Sequence, residues 1–282
     1  MLSLQEPLAA NLSTLLEFPV PVLSARDFGV TYEDQRNGAL TEAVRNVDLD
    51  IAPGEFVSIV GLSGCGKSTF LSAVAGLVPY QTGSLRIAGK LVNGPGADRA
   101  VVFQKASLLP WRTVLENVYY GLELRGVPKK QCEEKAWEAL ELVGLEEFAH
   151  FHPRALSGGM QQRTNLARAI ASDPEILLMD EPFAALDAIT RETLQNELLD
   201  IWQRHRKTVL LVTHQIDEAV LLSDRVIVFT ERPARIRRQF TVDLRRPRTE
   251  AAKSDPAFAH LVERIWAEVN RIGDRPEAEY AI

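Results

Sequence analysis

The residues best suited to chemistry form a glycine-rich stretch that ends in lysine, serine and threonine. Residues 61–69 match the pattern G-x-x-x-x-G-K-[ST], which binds phosphate groups. Glycines let the backbone approach an anion closely, so that successive N–H groups can surround the β-phosphate of a nucleotide. Lys67 adds a positive charge, and the Ser68 hydroxyl can bind Mg²⁺. The pattern predicts a nucleotide site formed by Gly61, Ser63, Gly64, Cys65, Gly66, Lys67, Ser68 and Thr69.

The segments on both sides of this stretch support the same interpretation. Residues 56–60 form an apolar, β-branched run of strand length, and residues 70–75 have the composition of a helix. A glycine-rich turn can match the pattern by chance, but strand, loop and helix in this order are the structural context in which it binds phosphate. We therefore expect nucleotide binding.

Two adjacent acids provide a second group of reactive side chains. Asp180 and Glu181 directly follow the apolar run 176–179. Acids at the carboxyl end of a parallel strand lie beside the phosphate site in a doubly wound fold. We expect Asp180 to hold Mg²⁺ through water and Glu181 to polarise the water that attacks the γ-phosphate. The alternative is an ordinary turn, which the upstream phosphate pattern disfavours.

Composition limits the classes of protein that this chain can represent. With 282 residues, of which 46% are hydrophobic, it can bury a full core in one large or two smaller domains. We find no run of eighteen apolar residues and no secretory signal pattern. The two cysteines lack metal or disulfide spacing, which suits a reducing cytoplasm. A net charge of -6 argues against a nucleic-acid binder.

The predicted elements describe an α/β chain. Alternating stretches within 22–51 suggest antiparallel strands, and helical spacing dominates residues 113–172. The continuous apolar runs 176–179 and 209–212 are typical of central parallel strands, and 226–229 is expected to close the core. Residues 1–22 are interpreted as a poorly ordered extension. The amphipathic stretch 258–266 belongs to an accessory C-terminal segment.

Two basic runs in the C-terminal part, 235–238 and 245–248, remain open to two interpretations. They are either contact patches or solvated surface, and the second is the more common role of such runs.

Residues 156–160, Leu-Ser-Gly-Gly-Met, followed by Gln-Gln-Arg, resemble the signature of ATP-binding-cassette (ABC) ATPases. The resemblance covers about residues 23–230. It implies that Ser157, Gly158 and Gly159 form a second nucleotide contact at a helix N-terminus. Two positions depart from the family pattern: Met160 replaces a common glutamine, and Ala185 replaces a frequent serine. Neither departure removes a residue that phosphate chemistry needs.

Four further roles follow from this resemblance. Tyr32 looks like the aromatic residue that stacks on adenine, and Gln104 like the glutamine that senses Mg²⁺ and the membrane partner. His214 matches the switch histidine that contacts the γ-phosphate, and Asp187 matches the loop that communicates across the dimer. Each has a structural alternative, namely core packing for Tyr32, a strand-end surface position for Gln104 and helix capping for His214. Their occurrence in the family order favours the functional roles.

The resemblance also implies the assembly and the fold. We expect a phosphate-loop NTPase with a parallel β core, an antiparallel β subdomain and an α-helical subdomain at about 113–172. The expected domains are an N-terminal extension (1–22), an ABC ATPase domain (23–232) and a C-terminal accessory segment (233–282). In the family the signature of one cassette covers the ATP held by another. The implied cofactors are ATP and Mg²⁺, and the implied assembly is a homodimer with two-fold symmetry.

Residues 108–118, 78–83 and 94–99 are similar to the nitrate, sulfonate and taurine importer group, with taurine transport ATPases the nearest match. A separate transmembrane permease, a periplasmic solute-binding protein and a peripheral position on the cytoplasmic face of the bacterial inner membrane are implied. The alternatives are a nucleic-acid-associated cassette ATPase and a kinase that shares only the phosphate loop. The signature disfavours the kinase, and the interval between Gln104 and Leu156 leaves no room for coiled coils or a duplicated cassette.

Overall fold

A computed structural model describes residues 20–34 and 36–273. The predicted N-terminal extension therefore lies almost wholly outside the described residues, and so does the end of the C-terminal segment. None of the helices in the described ranges is both long and apolar enough to cross a bilayer.

Four strands form an antiparallel sheet in the order β2-β1-β4-β5. Their bounds are β1 (Leu23–Glu33), β2 (Leu40–Ile51), β4 (Thr82–Ile87) and β5 (Lys90–Leu91). Buried and exposed residues alternate along much of β2 and β4, because only one face of this sheet packs on the core. The antiparallel strands predicted within 22–51 are thus present.

Six strands form the second sheet, in the order β10-β9-β3-β8-β7-β6. All neighbours are parallel except β10 and β9. The four interior strands, β9, β3, β8 and β7, are buried along nearly their whole length, as continuous apolar runs require. The strands are β3 (Phe56–Val60), β6 (Arg99–Val102), β7 (Ile176–Asp180), β8 (Thr208–Val212), β9 (Arg225–Phe229) and β10 (Ile236–Thr241).

Seven α-helices occur in the described residues. Three of them, α2, α3 and α4, pack on one another and form a helical block beside the larger sheet. Thr113 begins α2 with a capping box, in which its hydroxyl accepts from the Glu116 N–H and the Glu116 carboxylate accepts from the Thr113 N–H. The helices are α1 (Lys67–Val74), α2 (Val114–Leu124), α3 (Lys129–Leu142), α4 (Gly158–Ala171), α5 (Ala188–His205), α6 (Ile216–Leu222) and α7 (Pro256–Gly273).

The larger sheet separates two hydrophobic cores. Phe56 and Val60 of β3 point into a core shared with the helical block, α5, α6 and α7. Val57 and Ile59 point into a second core shared with α1 and the antiparallel sheet. Period-two alternation along a single strand therefore serves both cores. The predicted fold class, with a parallel core, an antiparallel sheet and a helical block, is confirmed.

The C-terminal segment differs from the prediction in one respect. The run 226–229 does not close the sheet, because β10 adds an antiparallel edge strand beyond it. This strand contains most of the first basic run, and Arg237 and Arg238 both donate to the Glu268 carboxylate of α7 at 2.9 Å. The run is therefore paired within the chain rather than merely solvated.

The second basic run is partly interior. Arg248 is 3% exposed, and its guanidinium donates to the carbonyl oxygens of Val220, Ser223, Val242 and Leu244. Arg246 lies over the Trp202 ring and donates to Asp224. Solvated surface is thus the wrong interpretation for these two side chains, because their guanidinium groups donate to carbonyl oxygens and to a carboxylate of the protein instead of to water.

Candidate nucleotide-binding and hydrolysis site

The phosphate loop lies between β3 and α1, and its backbone requires glycine at two positions. Gly64 has φ = +72° and Gly66 has φ = +123°, both in the region that side chains disfavour. A Cβ atom on Gly66 would also come within 2.5 Å of the Ala43 carbonyl oxygen. Helix α1 begins directly after this turn, so its free N–H groups point toward the loop, where they can bind an anion.

Lys67 brings a fixed positive charge to this loop. Its side chain is buried, and its ammonium donates to the carbonyl oxygens of Gly61 and Leu62, both at 2.9 Å. These two bonds hold the first turn of the loop and keep the charge beside the backbone N–H groups. The arrangement can bind a phosphate through both charge and geometry.

Ser68 and Asp180 meet at the loop's edge. The Ser68 hydroxyl donates to Asp180 Oδ1 at 2.9 Å, although the two residues come from different elements. Burial raises the pKa of the Asp180 carboxyl, and the hydrogen bond from Ser68 partly opposes that effect. The half-buried Asp180 carboxylate and the Ser68 hydroxyl are hard oxygen donors of the kind that Mg²⁺ prefers. The described residues contain no group of three or more His, Cys, Asp or Glu side chains placed to hold a metal ion.

Glu181 and His214 are the two residues that the sequence predicts to act at the γ-phosphate, and their side chains lie within hydrogen-bond distance of each other. His214 Nδ1 lies 3.1 Å from Glu181 Oε2, at the carboxyl ends of the neighbouring strands β7 and β8. Glu181 has φ = +45°, and its N–H donates to the Val212 carbonyl at 2.8 Å. Such backbone strain persists only where the surroundings fix it, and it is frequent at functional sites. The hydrogen bond to Val212 explains how the strain is held.

Tyr32 lies near the end of β1 and extends over the start of α1. Its hydroxyl lies 3.4 Å from Thr69 Oγ1, and the residue is 42% exposed. An exposed ring at the edge of the loop has the position that stacking on a nucleobase requires, whereas the core alternative would bury it.

The signature turn begins α4. Ser157 caps this helix by accepting from the Met160 N–H at 3.3 Å. A Cβ atom on Gly159 would come within 2.6 Å of the Thr190 methyl group, so the glycine permits a close approach of α5. Thr190 in turn donates to Asp187, whose carboxylate caps α5 and has its pKa lowered chiefly by the backbone N–H of Thr190. The signature turn and the Asp187 loop therefore lie side by side.

The structure brings the predicted residues together as two groups. One group contains residues 61–69, Tyr32, Asp180, Glu181 and His214; the other contains residues 157–159 and Asp187. Among the described residues, no hydrogen bond joins the signature turn to the phosphate loop.

Gln104 follows β6 by two residues, is exposed, and lies in the loop that leads to α2. Its loop is held by residues that the sequence analysis did not identify. The amides of Gln162 and Asn165 donate to the Phe103 carbonyl at 3.1 and 3.3 Å, and Arg168 donates to the Ala106 carbonyl at 2.9 Å. Their spacing of three along α4 places them on one face of the helix. This spacing is the sequence pattern from which a shared contact surface could have been predicted.

Comparison with known proteins agrees with this geometry. The family model described as ABC transporter matches residues 44–184. An uncharacterised ABC transporter ATP-binding protein of Methanocaldococcus jannaschii is 56% identical over 75% of this chain and 79% of its own length. A taurine import ATP-binding protein of Rhizobium johnstonii is 47% identical over 82% of this chain and 90% of its own.

A solved dimeric ATP-binding cassette, in a post-hydrolysis state with ADP and phosphate, superposes with a TM-score of 0.69. It is 33% identical and covers 79% of this chain and 100% of its own. The phosphate loop, the strand-end acids and the signature turn occur here on the same fold. This chain belongs to the ABC transporter family and is an ATPase with the cassette form of the phosphate-loop NTPase fold.

Proposed function

We propose that this chain is the ATP-hydrolysing subunit of a bacterial importer, which energises uptake of a small anion through a separate permease. The proposal depends chiefly on one observation, the Glu181–His214 pair at 3.1 Å beside the Ser68–Asp180 pair at 2.9 Å. Both pairs lie at the strand edge next to the phosphate loop. A base, a γ-phosphate contact and a metal site are thereby assembled around one anion site.

In the proposed reaction, Tyr32 stacks on adenine and residues 61–69 bind the phosphates. Lys67 neutralises charge on the β- and γ-phosphates. Ser68 and Asp180 would hold Mg²⁺, with Gln104 as a further ligand, and the ion supplies charge neutralisation. Glu181 polarises the attacking water and takes its proton, while His214 orients Glu181 and contacts the γ-phosphate.

The second cassette completes each site. The N-terminus of α4, with Ser157, Gly158 and Gly159, makes no hydrogen bond to the phosphate loop among the described residues, and helix N-termini bind anions. We propose that it covers the ATP of a partner copy in a two-fold homodimer, with Asp187 beside it at the interface. The dimeric cassette described above supports this assembly.

The proposed solute class is taurine and other alkanesulfonates, or nitrate. Relatives named as taurine import ATP-binding proteins are 44% to 47% identical to this chain. Their printed role in import supports a membrane-associated place beside a permease. The proposal adds the cytoplasmic face of the inner membrane and a periplasmic binding protein. The nucleic-acid alternative receives no support from the relatives compared above.

The decisive experiment is Glu181→Gln, which removes the base and preserves the shape of the side chain. ATP hydrolysis should fall by about a hundredfold or more, while ATP still binds and the dimer accumulates with ATP bound. Phosphate release and size-exclusion chromatography with ATP measure the two effects. Phosphate release near the wild-type rate would remove Glu181 from its role.

A further inference from the structure

Glu218 is a buried acid on α6 that the proposed reaction does not use. It is 4% exposed, and its Oε2 accepts from the Thr213 hydroxyl at 2.8 Å. Its other oxygen, Oε1, is buried and has no hydrogen-bond partner among residues 20–34 and 36–273. A buried carboxylate with one oxygen unsatisfied is costly, because burial removes that oxygen from bulk solvent and no donor among the described residues replaces it. Glu218 therefore needs an explanation beyond packing.

Arg191 on α5 also has one buried polar atom without a hydrogen-bond partner in the described part of the chain, and in this case the atom is a donor. Its Nε is buried and finds no hydrogen-bond partner in the part of the chain that the structure describes, whereas its Nη2 donates to the Leu186 carbonyl at 2.8 Å. Its charge lowers the pKa of Glu218, although burial is the larger effect and raises that pKa to about 7. An unpartnered donor and an unpartnered acceptor of opposite charge thus lie in the same region.

Both side chains are connected to loops of the proposed site. Thr213, which donates to Glu218, directly precedes His214, and its hydroxyl also accepts from the Gln215 N–H at 3.0 Å. Leu186, whose carbonyl accepts from Arg191, directly precedes Asp187. Glu218 therefore braces the turn that carries the switch histidine, and Arg191 braces the loop beside the signature turn.

We propose that Glu218 and Arg191 are a positioning pair that couples the Asp187 loop at the dimer interface to the His214 turn at the γ-phosphate. This inference rests on the proposed function. When a partner cassette engages Asp187, Arg191 Nε donates to Glu218 Oε1, and both buried atoms become satisfied. The resulting ion pair fixes Thr213, and through it His214 and Glu181, in the geometry that hydrolysis requires. A small shift of the Asp187 loop at the interface then changes the positions of Glu181 and His214.

The charge of Glu218 makes this coupling dependent on pH. Asp217 on the same helix and Glu181 after β7 raise the pKa of Glu218, whereas Thr213 and Arg191 lower it. Lys253, which pairs with Asp217 at 3.9 Å, faces the same end of α6. As the pH falls through about 7, the Glu218 carboxylate, whose pKa burial raises, becomes protonated and neutral, and the ion pair with Arg191 is lost. The coupling is therefore strongest above that pH.

The first test is Glu218→Gln, which keeps an acceptor for Thr213 and removes the charge. We expect kcat for ATP hydrolysis to fall about fivefold or more, with KM for ATP within about twofold of wild type. In the wild-type protein kcat should rise with pH through about 7, and the variant should lack that inflection. Glu192→Gln, an exposed change next to Arg191, is the matched control and should leave kcat and its pH profile unchanged.

The second test is a double-mutant cycle with Arg191→Gln. If the pair acts as one unit, the double variant should have the same kcat as either single variant, because the second change removes nothing further. Thermal melting and binding of a fluorescent ATP analogue verify folding, and Arg191→Lys replaces Arg191→Gln if the latter fails to fold. Additive losses, or an unchanged pH profile in Glu218→Gln, would overturn the coupling. Absence of ATPase activity in the wild-type protein would instead overturn the proposed function.

Discussion

The two anion-binding turns of this chain, at residues 61–69 and 157–159, differ in how much surrounds them. The phosphate loop is surrounded by groups of its own chain. The Lys67 ammonium donates to the Gly61 carbonyl, and the Ser68 hydroxyl donates to Asp180. Glu181 directly follows Asp180, and the Glu181–His214 pair lies at the same edge of the sheet. The signature turn offers a helix N-terminus capped by Ser157, and the Asp187 loop lies beside it through Thr190. In the proposed reaction the first turn has its metal ligands, base and histidine close by in the same chain, whereas the second supplies only binding groups from residues 157–159.

The largest loss of ATP binding and hydrolysis should come from a change in the phosphate loop. Lys67→Ala removes the charge and the two bonds that hold the loop, so ATP binding and hydrolysis should both fall by about a hundredfold or more. Equilibrium binding of a fluorescent nucleotide to the isolated chain measures this. Binding within about twofold of wild type would contradict the role of Lys67 in the phosphate site.

Ser157→Arg tests the signature turn. The bulky cation should block approach of a partner's ATP but spare nucleotide binding by the monomer, so hydrolysis falls while the Kd for ATP stays within about twofold. Mixing this variant with Lys67→Ala supplies the sharper comparison. Some heterodimers then contain one intact loop that faces one intact signature.

Recovery of part of the ATPase activity in that mixture is the expected result. A mixture that stays inactive, despite verified heterodimers and a demonstration that one site can work alone, would contradict the trans arrangement.

A smaller effect is expected at the surface that follows β6. Trp111 is 72% exposed, and the neighbouring Arg112 lies over the Tyr120 ring and pairs with Glu123. We expect this aromatic side chain to contact the permease. Trp111→Ala should lower uptake of taurine or another sulfonate in the reconstituted complex about tenfold and leave ATP binding by the isolated chain unchanged. Unchanged uptake and co-purification would exclude Trp111 from the interface.

The smallest effect concerns the contact between α4, the helix that the signature turn begins, and the loop that contains Gln104. Asn165→Ala removes one of the amide bonds by which α4 holds the Phe103 carbonyl. The free energy of unfolding should fall by about 1 kcal/mol, the usual contribution of such a bond. Chemical denaturation measures it, with the exposed Glu192→Gln as the control. A larger loss in solute-stimulated than in basal hydrolysis would show that this bond also transmits the signal from the permease.

Parts of the fold and the site were predictable because they depend on local patterns. The apolar runs before Lys67 and Asp180 fixed two strands of the parallel core, since only residues buried on both faces are so uniformly apolar. Glycines at positions 64 and 66 predicted the loop, because its backbone angles exclude side chains.

Other parts could not be predicted, because the partners of polar side chains come from distant segments. Gln162 and Asn165 have the composition of a solvated helix face, yet both are buried against the Phe103 carbonyl. Arg248 belongs to a basic run, yet four carbonyl oxygens accept from it. Burial of a polar group depends on which acceptors the fold brings to it.

The sequence by itself determined the kinds of chemistry available to this protein: a phosphate cradle, two strand-end acids, a switch histidine and a second helix N-terminus. Only the tertiary structure decided that Glu181 meets His214, that Asp187 lies beside the signature turn, and that Glu218 and Arg191 are buried with one unpartnered atom each. The physical reason is that residue types and local spacing set what a side chain can do. Strand order and helix packing set which other side chain lies within hydrogen-bond distance.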